Sequence, residues 1–230
     1  GNFRLSSKTD KCPLFIGKVV NHVKVGPSPK WLQNALHAAG IKSINNVVDI
    51  SNYVMVETGH PLHYYDLKKL PHHEITVVDD VEMTMQALDG QEYEIRRGDL
   101  LITTGGVPTG IAGILGGEES KIDENTTSIF IEAADFNAVP IRNTARRLGL
   151  NTEAASRFIK GVEPLAAIKA VDRSVQLLSS LAEARGFEET LVVGELRNPE
   201  RTVTETLSHC NQLLGTSFLM EQVVGVLNDL

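Results

Sequence analysis

The chain has 230 residues, 42% of them hydrophobic, and a formal net charge of −7 at pH 7. That length suits one large domain or two small ones, with enough apolar residues to bury a core. No apolar run approaches the roughly 18 residues of a membrane span, the opening GNFRLSSKTDK carries no apolar signal core, and the acidic balance disfavours clamping a nucleic-acid duplex, though a local basic patch could still touch RNA.

Residues 1–12 read as a polar lead-in. LFIGKVVNHVKV, residues 14–25, is β-branched and roughly alternating, which predicts a strand. GPSPKWLQNALHAAG predicts a helix with Ser28 as N-cap, Pro29 at its first position and Gly40 past its end, and with Trp31, Leu32, Ala35 and Leu36 on one face. Residues 45–58 predict a second helix, ended by Gly59 and Pro61, whose apolar face carries Val47, Val48, Tyr53 and Val54. From 74 to 133 short β-type runs (EITVV, MTMQAL, EYEI, DLLITT, SIFIEAA) predict an antiparallel sheet region, with Asp89-Gly90 as a hairpin turn. NAVPIRNTARRLG and NTEAASRFIKG predict short helices closed by Gly149 and Gly161. A long helix follows from Pro164 through Arg185, ended by Gly186, with an apolar stripe of Leu165, Ile168, Val171, Val175, Leu178 and Leu181. After a Pro-containing junction near 199, a strand-like piece and two short helices read as the start of a further unit that continues past Leu230. The fold class is therefore α+β: antiparallel sheets with helices packed on one side, followed by the start of a small α/β domain. Cys12 and Cys210 make neither a disulfide framework nor a C-x-x-C clip, which suits a reducing compartment.

TGHPLHYYDLKKL, residues 58–70, concentrates polar chemistry. His60 and His63 could be metal ligands, core histidines or parts of a pocket. No cysteine or third histidine at a regular spacing supports zinc, although His72-His73 follows. Glu132 lies in an apolar strand, where it either faces water, pairs with an arginine or serves as a selective acceptor. Gly113 in GIAGILGG is either a sheet bulge or a point where backbone approaches a ligand. Ser51 and Asn52 either cap or face solvent, or bind. Thr152 is a natural N-cap. Arg142 and Arg146 share a helix face, with Arg147, Arg157 and Lys160 nearby; they form a solvated face with internal ion pairs, or a phosphate landing place. No G-x-S-x-G or Ser-His-Asp pattern is present.

Three long stretches, NVVDISNYVMVETGHPLHYYDLKKL, GIAGILGGEESKIDENTTSIFIEAADF and IRNTARRLGLNTEAASRFIKGVEP, occur in an order that resembles bacterial phenylalanyl–tRNA synthetase β subunits. The resemblance covers the editing module, residues 13–197, and continues into the next domain over 198–230. It implies a cytoplasmic aminoacyl–tRNA ligase subunit whose editing site hydrolyses tyrosine wrongly joined to tRNA(Phe). It implies as partners the tRNA(Phe) acceptor end and an α subunit in an α2β2 assembly, with no DNA and no membrane. ATP and Mg²⁺ are expected only for synthesis on the α subunit, so this chain should need no cofactor or metal. By position, His63, Glu132 and Gly113 match the hydrolytic site. Ser51, Asn52, Thr152 and Ala154 match substrate-binding residues, and Arg142 and Arg146 would contact tRNA. Glu132 would recognise the para-hydroxyl, and His63 would orient substrate or water. His60 and Tyr64-Tyr65 depart from the commoner Gln and Ala-Phe. A free-standing trans-editing protein, or a non-catalytic RNA-binding module, are the competing readings.

Overall fold

The structure is a computed structural model and describes residues 2–194. The expected start of a further domain after 197, with Cys210, lies outside the described residues. In chain order come β1 (Arg4–Ser7), β2 (Leu14–His22), α1 (Lys30–Ala38), α2 (Asn46–Thr58), β3 (His63–Asp66), β4 (Glu74–Val78), β5 (Met83–Gln86) and β6 (Glu92–Ile95). β7 (Leu101–Thr104), β8 (Val107–Ile111), β9 (Leu115–Gly116), β10 (Ile129–Asp135), α3 (Ala138–Leu148), α4 (Glu153–Lys160), α5 (Pro164–Leu181), β11 (Arg185–Phe187) and β12 (Leu191–Gly194) follow. This is an α+β fold in which antiparallel pairing dominates.

The central sheet runs β11-β2-β10-β3, with β12 also on β2. A second sheet runs β1-β4-β7-β8-β9, and β5-β6 form a separate hairpin. Strand alternation divides the central sheet between two cores. Leu14, Ile16 and Val20 of β2 and Ile129, Ile131 and Ala133 of β10 face α1, α2 and α5. Phe15, Val19, Phe130 and Ala134 face the second sheet together with α3 and α4. The two sheets and five α-helices of the described residues thus enclose one core on each side of β10.

Most local signals act as expected. Asn45 caps α2 by accepting from Val48 N–H at 2.9 Å, and left-handed Gly59 closes it onto Met55. Thr152 caps α4, and Gly149 in a left-handed conformation ends α3. Four expectations are corrected. The lead-in is not merely polar linker: β1 lies within it and pairs parallel with β4, and Phe3 stacks on Phe130 at 4.2 Å. Ser28 does not cap α1; its hydroxyl donates to buried Asp49 at 2.5 Å, a stronger acceptor than a helix N–H is a donor. Trp31 is 47% exposed and meets Tyr53 edge-on, while Leu32 and Leu36 fill the core. The last helix stops at Leu181, because residues 185–187 pair with the edge of β2 instead of continuing the helix.

Candidate functional site

β3 and β10 pair antiparallel with Glu132 opposite His63 and Phe130 opposite Tyr65. Period-two alternation therefore puts His63, Tyr65, Phe130 and Glu132 on one face, toward the second sheet, and Tyr64 and Ile131 on the other. Tyr65 Oη donates to Glu132 Oε1 at 2.5 Å. The second oxygen, Oε2, has no protein donor among the described residues, and Glu132 lines a pocket. That pocket, with a volume of about 60 Å³, is walled by His63, residues 110–116, Ala154 and Phe158, besides Tyr65 and Glu132. It has room for a few waters.

Glycine backbone shapes the wall. Gly113 has φ +71°, and a Cβ there would meet Ile141, Phe136 and Phe158 at 3.0 Å. A Cβ on Gly116 would lie 2.4 Å from His63 Cε1. The missing Cβ of Gly116 therefore lets the chain pass directly against the imidazole. Thr152 does more than cap α4: its Oγ1 also donates to Ile114 C=O at 2.8 Å, tying that helix to the glycine loop. Ala154, two residues further, lines the pocket, whereas Thr152 does not.

His63 connects two spaces. With Leu62 it lines both the pocket and a larger groove of about 890 Å³, whose wall also includes Ser51 and Asn52. Ser51 Oγ donates to Val48 C=O at 2.6 Å, so its hydroxyl is held by its own helix. Arg142 is half-buried and Arg146 exposed, and neither lines the pocket or the groove. Among the described residues neither has an ion-pair partner, whereas Arg147 is bound to Asp99 and Arg157 to Glu153.

The electrostatics follow from burial. Burial pushes Glu132 up to about 7, and the Tyr65 hydrogen bond opposes the shift. Tyr65 itself is held well above the ordinary phenol range by burial and by Glu132. His63 is half-buried as a residue, but its Nε2 is shut off and unpartnered, and burial lowers its pKa to about 4. A neutral imidazole at pH 7 can orient a water or an ester without adding charge.

A second buried carboxylate shows the contrast. Asp49 accepts from Ser28 Oγ, Ser43 Oγ and Ile44 N–H at 2.5, 2.5 and 2.8 Å. Such a carboxylate is saturated by its own chain and structural. Glu132 has one donor, leaves one oxygen without a protein donor among the described residues, and lines a pocket.

His60 stands apart from His63. It is fully buried, its Nδ1 is 2.8 Å from Pro61 C=O, and its ring lies edge-on to Phe158 at 6.0 Å. Among the described residues no group of three or more His, Cys, Asp or Glu is arranged to hold a metal ion. Two pocket residues were not singled out by sequence reasoning. Tyr65 registers there only as a departure from a common Phe, and Gly116 only as part of a glycine run. The signal that could have found Tyr65 is its position two residues from His63, on the same strand face.

No helix of the described residues is long and apolar enough to cross a membrane. The sequence model of the B3/4 domain matches residues 11–183. The phenylalanine–tRNA ligase β subunit of Geobacter metallireducens is 39% identical over 223 residues, covering 96% of this chain and 28% of that protein. The β subunit from Staphylococcus epidermidis is 38% identical over 222 residues, again 96% of this chain and 28% of its own length. The chain thus spans little more than a quarter of these relatives. The crystal structure of an N-terminal fragment of the phenylalanyl–tRNA synthetase β subunit from Pyrococcus horikoshii superimposes with a TM-score of 0.53 at 9% identity, over 96% of this chain and 62% of that one, a likeness of fold. On the match over residues 11–183, this chain belongs to the B3/4 domain family.

Proposed function

We propose that this chain is the editing segment of a phenylalanine–tRNA ligase β subunit and hydrolyses tyrosine wrongly esterified to tRNA(Phe). One observation carries the reading: a buried carboxylate, Glu132, that lines a pocket and has a protein donor on only one of its oxygens. A synthetic site for phenylalanine can reject tyrosine, an isostere with one added hydroxyl, by only about a hundredfold. A second site inverts the problem. Tyrosine would satisfy Oε2 of Glu132, whereas phenylalanine would leave it facing carbon, at a cost of about 1–3 kcal/mol or more for a charged group.

The tyrosine ring would lie along the Gly113–Gly116 backbone beside Ala154 and Phe158. Its ester would then sit near His63, where the pocket meets the groove, and the terminal ribose would enter the groove beside Ser51 and Asn52. A positioned water attacks the activated carbonyl, and the ester C–O bond breaks. The carboxyl group keeps the water oxygen, and the ribose oxygen recovers a proton. Backbone N–H groups near Gly113 steady the developing oxyanion, and neutral His63 orients the water. Arg142 and Arg146, free of carboxylates, would meet acceptor-stem phosphates outside the groove. The α subunit, the α2β2 assembly, the cytoplasm, and ATP with Mg²⁺ for synthesis belong to the same proposal, and the synthetic reaction is placed outside this chain.

The test is deacylation of tyrosyl- and phenylalanyl-tRNA(Phe) by the chain and by Glu132→Ala, alone and within the complete αβ enzyme. Preferential loss of tyrosine with Glu132 only supports the reading. Equal rates for both esters, or full selectivity in Glu132→Ala, would sink it. Activity confined to the assembled enzyme would argue against a free-standing trans-editing protein, and no activity in either form would favour a non-catalytic module.

A further inference from the structure

Glu132 would have to recognise a ligand's phenol, yet it already holds a phenol from its own chain. We propose that Tyr65 is a specificity-determining positioning residue: its hydroxyl occupies Oε1 of Glu132 and fixes the carboxylate so that Oε2 alone meets the ligand's hydroxyl. This rests on the editing reading of the same pocket.

The phenol cannot readily swing away. Tyr65 is 1% exposed, is held by strand pairing to Phe130, and lies edge-on to His63 at 4.4 Å and tilted against Phe130 at 6.3 Å. Its hydroxyl is the sole hydrogen-bond donor to the Glu132 carboxylate among the described residues. The other titratable groups beside Glu132 are the half-buried His63 from β3 and the Cys12 thiol from the segment before β2, on which Asp135, further along β10, also acts. None of these supplies a fixed positive charge. A carboxylate offers about four lone-pair sites, so one neutral donor leaves space for a second. A guanidinium in the same place would take both oxygens and close the site.

The consequence concerns which form of Glu132 the ligand meets. With the Tyr65 phenol in place, the carboxylate is favoured over the neutral acid. An anion left facing a phenylalanine ring is penalised more than a neutral carboxyl would be. Removal of the phenol should therefore weaken the choice of tyrosine over phenylalanine near neutral pH, and raising the pH should restore it.

Tyr65→Phe separates the possibilities. The ratio of tyrosyl- to phenylalanyl-tRNA deacylation is followed from about pH 6 to about pH 8.5, and the Glu132 carboxyl carbon is titrated by NMR in the 230-residue chain. In the wild type both should turn over near pH 7. In Tyr65→Phe both midpoints should rise by about one unit, with a selectivity loss of up to about tenfold near neutrality. Unmoved midpoints with unchanged selectivity would overturn the proposal. So would a moved carbon titration without a change in selectivity, which would reduce the pair to a structural hydrogen bond. If the wild type shows no preference for tyrosine at any pH, the editing reading itself falls, and the carbon titration still reports whether Tyr65 governs Glu132.

Discussion

Tyr64 and Tyr65 are neighbours in one strand and have the same side chain, yet they serve opposite faces of the sheet. Tyr64 points into the core under α5 and donates to Ser174 Oγ at 2.6 Å, a neutral pair that closes on itself. Tyr65 points toward the second sheet and donates to a carboxylate that keeps an open oxygen. On the helix side, buried polar groups such as Tyr64, Ser174, Asn46 and Asp49 have partners. Among the described residues three buried side-chain polar atoms have no partner, His60 Nε2, His63 Nε2 and Thr104 Oγ1, and of these residues only His63 lines the pocket. A fold keeps buried polar atoms unpaired mainly where a ligand or water is to meet them.

The largest expected effect sharpens this contrast through pH. Burial lowers His60 from 6.5 to about 4. The folded chain therefore binds fewer protons than the unfolded one between those values, and stability is lost as pH falls through that window. The shift corresponds to about 3 kcal/mol, at about 1.4 kcal/mol per unit. His63 acts with the same sign. Glu132, raised from 4.5 to about 7, acts with the opposite sign: its contribution is full at low pH and lost as pH rises toward 7. The two histidines together outweigh it, so the wild type should weaken on acidification. His60→Gln should flatten the slope by about 3 kcal/mol between about pH 7 and pH 4, read by urea unfolding at each pH. An unchanged slope would mean that His60 is not held neutral.

Next comes the pocket side itself. Ala154→Leu should fill the space beside Glu132 and lower tyrosyl-tRNA deacylation about a hundredfold, equivalent to ~2.7 kcal/mol on the barrier. Full activity in that variant would place the ring elsewhere. Gly17→Ala should break the boundary between the two cores. Its Cβ would lie 2.1 Å from Phe130 Cζ, and Phe130 is already stacked on Phe3. Overpacking of this kind costs about 2 kcal/mol, visible as a lower urea midpoint. The smallest effect is on the helix side: Tyr64→Phe leaves Ser174 Oγ without its phenol partner and should cost about 1 kcal/mol. It should leave the Glu132 midpoint where it was, unlike Tyr65→Phe. A moved midpoint there would show that the two faces are coupled.

Local chemistry was legible where it depends on neighbours in sequence. Asn45 and Thr152 cap their helices, Gly59 and Gly149 end theirs, and Asp89-Gly90 turns its hairpin, because each motif satisfies backbone groups within a few residues. Ser28 misled because its partner, Asp49, is a folded-state neighbour 21 positions away and outcompetes the adjacent helix end. The end of α5 misled because an edge of β2, supplied by the other end of the chain, captures residues 185–187. Glu132 and His63 were legible as candidates through motif order, and the structure places them opposite each other in register.

By itself, then, the sequence determined the α+β class, most helices and turns, and the candidates around His63 and Glu132, since periodicity, capping and motif order are properties of contiguous residues. Only the tertiary structure decided which of two adjacent tyrosines would hold Glu132, which carboxylate would be saturated and which left open, and that His63 would join a pocket to a groove. Those outcomes depend on strand register and on burial from both sides of a sheet, and a one-residue change in register would have exchanged the two faces.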